Sequence, residues 1–129
     1  MFLLLLILEP LSVAYASDCA SPNTQTEMNA CADAAYRKTD AELNHLYQQV
    51  KGQLKHNQDT ANLLVTAQKR WVGFRDAECA FRSSAGAGGS IYPLLVTQCR
   101  DKLTSERIEG LHTYLHCREG DMSCPVPIK

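Results

Sequence analysis

Apolar residues recur along most of this chain at three- and four-residue steps, the spacing that lines one face of an α-helix. The first series runs Met28, Cys31, Ala35, Thr39, Leu43, Leu46, Val50 and Leu54, with Arg37, Lys38, Gln48, Lys51 and Lys55 turned the other way. Thr24, followed three residues later by Glu27, has the spacing of a capping box, in which hydroxyl and carboxylate satisfy free amides of the first turn. A helix is therefore expected from Thr24 to about His56. After the polar stretch at 55–59, Asp59 or Thr60 can cap a second helix reaching Arg82. Its apolar series is Leu64, Ala67, Trp71, Phe74 and Phe81, with Glu78 on the same line.

The stretch from Ser83 to Ser90 carries three glycines and breaks the periodicity, because glycine loses the most backbone freedom on ordering. Ser90 is placed to cap a third helix, with Pro93 tolerated in the first turn and Ile91, Leu95, Cys99, Leu103, Leu111 and Tyr114 on the buried side. From Cys117 onward an irregular tail is expected. No segment alternates for long enough to read as a strand. The expected fold is all-α: a small bundle of three main helices. The first two form a long antiparallel hairpin, with Leu43–Leu46–Val50–Leu54 facing Leu64–Ala67–Trp71–Phe74, and the third lies across them.

The N-terminus reads differently. Met1 to Leu8 is a compact apolar run too short to span a bilayer, and Ala14-Tyr15-Ala16 fits the small-x-small pattern before a signal-peptidase cut. Residues 1–16 are thus read as a signal peptide and 17–129 as one domain, periplasmic or secreted, with no membrane contact after cleavage. The whole chain has 13 basic and 14 acidic residues, and the cut removes Glu9, leaving the mature form neutral. Without a basic excess there is no electrostatic footprint for nucleic acid.

Export makes the six cysteines readable, since an even count in an oxidising compartment points to disulfides. Among the possible pairings, short loops favour Cys19–Cys31, Cys79–Cys99 and Cys117–Cys124. Zinc sites need cysteines two to four apart, and redox motifs need CxxC; this chain has neither. No metal or other cofactor is expected.

Few residues invite chemistry. Arg75 and Glu78, three apart on the second helix, are expected to form a structural ion pair, with Asp76 pointing elsewhere. Glycoside hydrolysis needs two opposed carboxylates, which this grouping does not supply. His112 and His116 share a helix face but lack a third ligand or an HExxH context, so they read as helix-end histidines. No serine lies in a nucleophile elbow, and the glycine-rich loop lacks the ending of a phosphate-binding loop. No catalytic residue is expected.

The order and spacing of several motifs carry a family resemblance. These are Thr26-Glu27-Met28-Asn29-Ala30-Cys31-Ala32, Asp40-Ala41-Glu42-Leu43-Asn44, Ala67-Gln68-Lys69-Arg70-Trp71 and Phe74-Arg75-Asp76-Ala77-Glu78-Cys79. They continue through Gly88-Gly89-Ser90, Cys99 and Leu103-Thr104-x-x-Arg107. Together they resemble the LprI-type lysozyme-inhibitor domain of secreted bacterial proteins. The resemblance implies a small helical, disulfide-bonded, exported domain, with no active site to carry over at Trp71, Arg75, Asp76, Glu78 or Arg107. The lipid-anchoring cysteine of the name-giving member has no counterpart, which implies a free protein.

Two functional readings follow. In the first, the chain is a non-enzymatic inhibitor that occupies the cleft of a lysozyme-type glycosidase. Such a cleft holds paired carboxylates, so a blocking loop needs hydrogen-bond donors and little bulk. Arg82, Ser83, Ser84, Gly88, Gly89 and Ser90 are the expected partner-binding residues. A neutral chain offers a basic lysozyme no long-range attraction. In the second, the chain is a periplasmic binding module for a peptide, a toxin or a cell-wall fragment.

Overall fold

The computed structural model describes residues 19–128, so the expected signal peptide lies outside the described residues. Three long helices follow one another: α1 (Gln25–Gln53), α2 (Gln58–Arg82) and α3 (Tyr92–Tyr114), with a single 3-10 turn at Ser84–Gly86. There is no strand among the described residues, and the fold is all-α.

The helix starts follow from local chemistry. Thr24 Oγ1 accepts from the amide of Glu27 at 3.1 Å, and Glu27 Oε2 reaches back to the amide of Asn23 at 2.8 Å. At α2 the cap is Asn57, slightly earlier than expected, and its Oδ1 accepts from the amide of Thr60 at 3.1 Å. Ser90 does not cap α3. The helix begins after Ile91 without a side-chain cap, and the carbonyl of Ser90 instead accepts from Asn29 Nδ2 of α1 at 3.2 Å. Pro93 in the first turn removes one of the amides a cap would serve.

The most extensive helix packing joins α1 to α3, with α2 laid against α3. Asn29 meets the start of α3, while Val50 and Leu54 line a groove with Tyr114 near its end, so α1 and α3 run in the same direction. The core is built from Leu43, Leu46, Val50 and Leu54 of α1, Ala61 of α2, Ile108 and Leu111 of α3, and Val126 from the tail. Tyr47, Leu64, Trp71 and Tyr114 pack around it half-buried. From Leu43 onward the apolar series of α1 is therefore inward as read, whereas upstream Met28, Cys31 and Thr39 are half-buried and Ala35 is exposed.

The series of α2 is inward only in part: Leu64 and Trp71 pack half-buried against the core, whereas Ala67 is exposed and Phe74 and Phe81 are 56% and 75% exposed. The buried residues of α2 are Ala61, Gln68, Arg75 and Cys79. Gln68 and Arg75 take the places assigned to Ala67 and Phe74, so apolar periodicity alone misplaces those positions. Ile91 is likewise exposed at the start of α3.

Three cysteine pairs stand at disulfide distance: Cys19–Cys31, Cys79–Cys99 and Cys117–Cys124, with Cα–Cα separations of 5.5, 5.5 and 5.6 Å. This is the connectivity that short loops favour. The first ties the N-terminal segment to α1, the second ties α2 to α3, and the third closes the tail that delivers Val126 to the core. No helix among the described residues is long and apolar enough to cross a membrane.

Candidate functional site

Where the three helices meet, the packing turns polar around Arg75. Its side chain is 8% exposed and stacks between Trp71 and Tyr36, its guanidinium carbon 5.2 and 5.6 Å from the two ring centroids. Arg75 Nε donates to Asp76 Oδ1 at 3.0 Å, and Nη1 lies 3.4 Å from Thr104 Oγ1 and 3.6 Å from Asp40 Oδ1. One guanidinium thereby bridges α1, α2 and α3. Its planar, many-donor head suits this place, where a lysine would offer only a point charge.

Two further arginines complete the cluster. Arg107 Nε donates to Gln68 Oε1 at 3.0 Å, and the Arg107 guanidinium lies over the Trp71 ring at 5.9 Å. Arg100 Nε approaches Asp76 Oδ1 at 3.2 Å as an ion pair whose angles do not make a hydrogen bond. Burial pushes the Tyr36 pKa up, against the pull of the Arg75 charge, so the phenol is held neutral.

The expected Arg75–Glu78 pair is not formed. Arg75 is taken by Asp76 and Asp40, and Glu78 receives Arg82 Nε at 3.0 Å. The reason is helical angle: Arg75 points into the bundle, whereas Glu78 and Arg82, four residues apart, meet along the rim. Asp40, Asp76 and Glu78 are each held by an arginine. This cluster is a polar joint that fixes the end of α2.

Beyond that joint the chain turns through Arg82–Ser90, clamped at its base by Cys79–Cys99. The loop is a succession of tight turns: the amides of Gly86, Ala87, Gly89 and Tyr92 donate to the carbonyls of Ser83, Ser84, Gly86 and Gly89 at 2.9–3.1 Å. Gly88 has φ +82°, a left-handed conformation that a side chain would strain. A Cβ on Gly86 would lie 2.7 Å from Leu95 Cδ1, so a larger residue there would require the leucine side chain to shift.

Of the residues expected to bind a partner, Ser84, Gly88, Gly89 and Ser90 are exposed and share this loop, with half-exposed Arg82 at its root. Ser83 is not among them. It is 3% exposed, because the chain must turn inward after α2 to reach α3.

The histidine pair is placed as expected. His116 Nδ1 donates to the carbonyl of His112 at 2.9 Å, closing the end of α3. No group of three or more metal-ligating side chains occurs among the described residues.

Sequence reasoning missed Tyr36, Asp40, Gln68, Arg100 and Thr104 as members of the joint. One signal was present: Ala61, Gln68 and Arg75 recur at seven-residue steps and lead to Cys79 four residues on. Because Cys79 must face Cys99, it marks the inward side of α2 independently of hydropathy.

The family described as Lysozyme inhibitor LprI matches residues 16–111, which contain the joint and the loop. The chain is also 34% identical over 113 residues to a Rhizobium meliloti (strain 1021) protein described as uncharacterized protein R02472, covering 79% of this chain and 81% of that one. No solved structure matches.

Proposed function

The chain belongs to the LprI lysozyme-inhibitor family, and from that premise we propose that it is an exported, non-enzymatic protein that inhibits a lysozyme-type cell-wall glycosidase by placing the Arg82–Ser90 loop in its cleft. The family match over most of the chain carries this reading. It begins at residue 16, beside the expected signal-peptidase cut, which supports export to the periplasm or beyond.

The loop supports the mode of action. It projects small residues and the Ser84 and Ser90 hydroxyls, and no bulky side chain stands between Ser84 and Ser90. Its turns and the Cys79–Cys99 clamp order it before binding, which lowers the entropic cost of association. A glycosidase cleft lined by two carboxylates accepts hydrogen bonds from such donors. Arg82 stands at the root with its charge balanced by Glu78, ready to exchange that carboxylate for one on the enzyme.

The test is inhibition of a basic animal lysozyme acting on a cell-wall suspension. Wild-type protein is expected to inhibit at micromolar concentration or below. Gly88→Ala, which strains the left-handed turn, and Arg82→Ala should each weaken inhibition by about 1–3 kcal/mol, with an unchanged far-UV circular dichroism spectrum. Absence of inhibition by wild type, or inhibition by both variants as strong as that of wild type, rejects cleft occupation by this loop.

A further inference from the structure

The side of α2 turned away from the bundle carries Leu63, Ala67, Arg70, Phe74, Ala77 and Phe81, spaced alternately by four and three residues. At about 100° per residue these six fall within roughly 40° of one line along the helix. All six are exposed, with Leu63 at 71% and the two phenylalanines more than half exposed. We infer that this face is a self-pairing surface, on which two copies of the chain dock α2 against α2 in antiparallel orientation about an axis beside Val72.

The pattern itself selects a second copy as occupant. Read from either end it is large, small, Arg or Phe, small, large. An antiparallel pair therefore sets Leu63 against Phe81 of the second copy, Ala67 against Ala77, and Arg70 against Phe74. The first two layers match bulk with bulk and small with small. The third lays a guanidinium on an aromatic ring at each side of the axis, a favourable cation–π contact. Arg70 is exposed and makes no ion pair among the described residues. A twofold interface requires such self-complementarity, and an unrelated partner does not.

Gly73, inside α2, stands at the flank of this face, about 80° round the helix from the contact line, and a Cβ built on it meets nothing within 4 Å. Two such faces remove on the order of 1,000 Å² from water, the lower bound of a specific interface, so the pairing is expected to be reversible. The two loops stand at opposite ends of the paired helices, roughly 35 Å apart. The pairing does not depend on what the loops bind.

Sedimentation equilibrium of the purified protein from about 1 to 500 µM tests the inference. Wild type should pass from monomer to dimer mass across that range. Phe74→Lys sets like charge against Arg70 of the second copy and should raise the dissociation constant at least tenfold. Phe74→Glu sets a carboxylate there and should dimerise distinctly better than the lysine variant, which a register-blind apolar patch does not predict. Both variants should keep the wild-type circular dichroism spectrum and low-concentration thermal midpoint. A monomer at all concentrations, a Phe74→Lys variant that dimerises like wild type, or equal losses in the two variants overturns the inference. So does a Phe74→Lys variant of unchanged mass distribution that loses lysozyme inhibition, since the face then serves a different protein.

Discussion

The inner face of α2 holds Gln68 and Arg75 in the bundle, while its outer face holds Leu63, Phe74 and Phe81 in water. Rotating the helix by about a third of a turn would bury the phenylalanines and release the arginine. Two features oppose that rotation. Cys79 lies on the inner face, one turn beyond Arg75, and its bond to Cys99 fixes the direction that face points. The Arg75 guanidinium, stacked between Tyr36 and Trp71 with hydrogen-bonding partners from α2 and α3, also recovers much of the desolvation cost that an unpaired buried cation would carry. The orientation of α2 is thus set by directional contacts, and apolar surface is left over on the other side.

Neighbours one residue apart test the two faces most directly. Arg75→Ala removes the stacked cation and leaves Asp40 and Asp76 without it. Both carboxylates are about two-fifths exposed and can recover solvent, so the cost should fall near the lower end for a broken buried pair, about 2–3 kcal/mol. Phe74→Ala should change stability by less than about 0.5 kcal/mol when measured at low concentration, where α2 is unpaired. Urea unfolding of both variants decides the matter. If Phe74→Ala costs as much as Arg75→Ala, the assignment of the two faces is wrong.

How far the chain could be read from its residues differs between these faces for a physical reason. In α1 every fully inward position of the second half is aliphatic, so the 3.6-residue period gave both the helix and its buried side: Leu43, Leu46, Val50 and Leu54 are all in the core. In α2 the period still marked a helix, because apolar residues on either face of a helix recur at the same steps. It could not tell which face was inward once Gln68 and Arg75 had taken buried positions. The polar joint was hidden for a related reason. Asp40, Arg75 and Thr104 lie on three helices, and their meeting depends on packing that no local spacing encodes. The loop residues were legible because glycine density marks an irregular segment wherever it occurs, yet the inward turn of Ser83 was not. Disulfide connectivity was the most legible feature, since each short loop closes between elements already adjacent in the chain.

A smaller effect sharpens the account of the inner face. Thr104 is fully buried, and its hydroxyl faces Arg75 Nη1 at 3.4 Å, a long hydrogen bond. Thr104→Val keeps the shape and removes the oxygen. On apolar grounds alone the exchange should stabilise a buried site. If the joint governs, the guanidinium loses a partner it cannot replace with water, and the variant should be less stable by about 1 kcal/mol. A Thr104→Val protein with a raised urea midpoint would show that the hydroxyl is incidental and that Arg75 is held by Asp76 and the rings.

The smallest effect bears on the outer face and separates the stability of one copy from the pairing of two. Gly73→Ala adds a methyl group that meets nothing in the isolated chain and removes the entropy cost of glycine within a helix. At concentrations where the protein is monomeric it should therefore raise stability by about 0.5–1 kcal/mol, read as a higher urea midpoint. In the paired state the same methyl group points about 80° away from the contact line and does not stand between the helices. Sedimentation equilibrium should then show a dissociation constant close to that of wild type, despite the more stable fold. A large rise in the dissociation constant would mean that the seam runs along Gly73 and not along Leu63, Phe74 and Phe81. Destabilisation at low concentration would mean that the outer face is already covered within a single copy, contrary to the exposure of the residues that flank it.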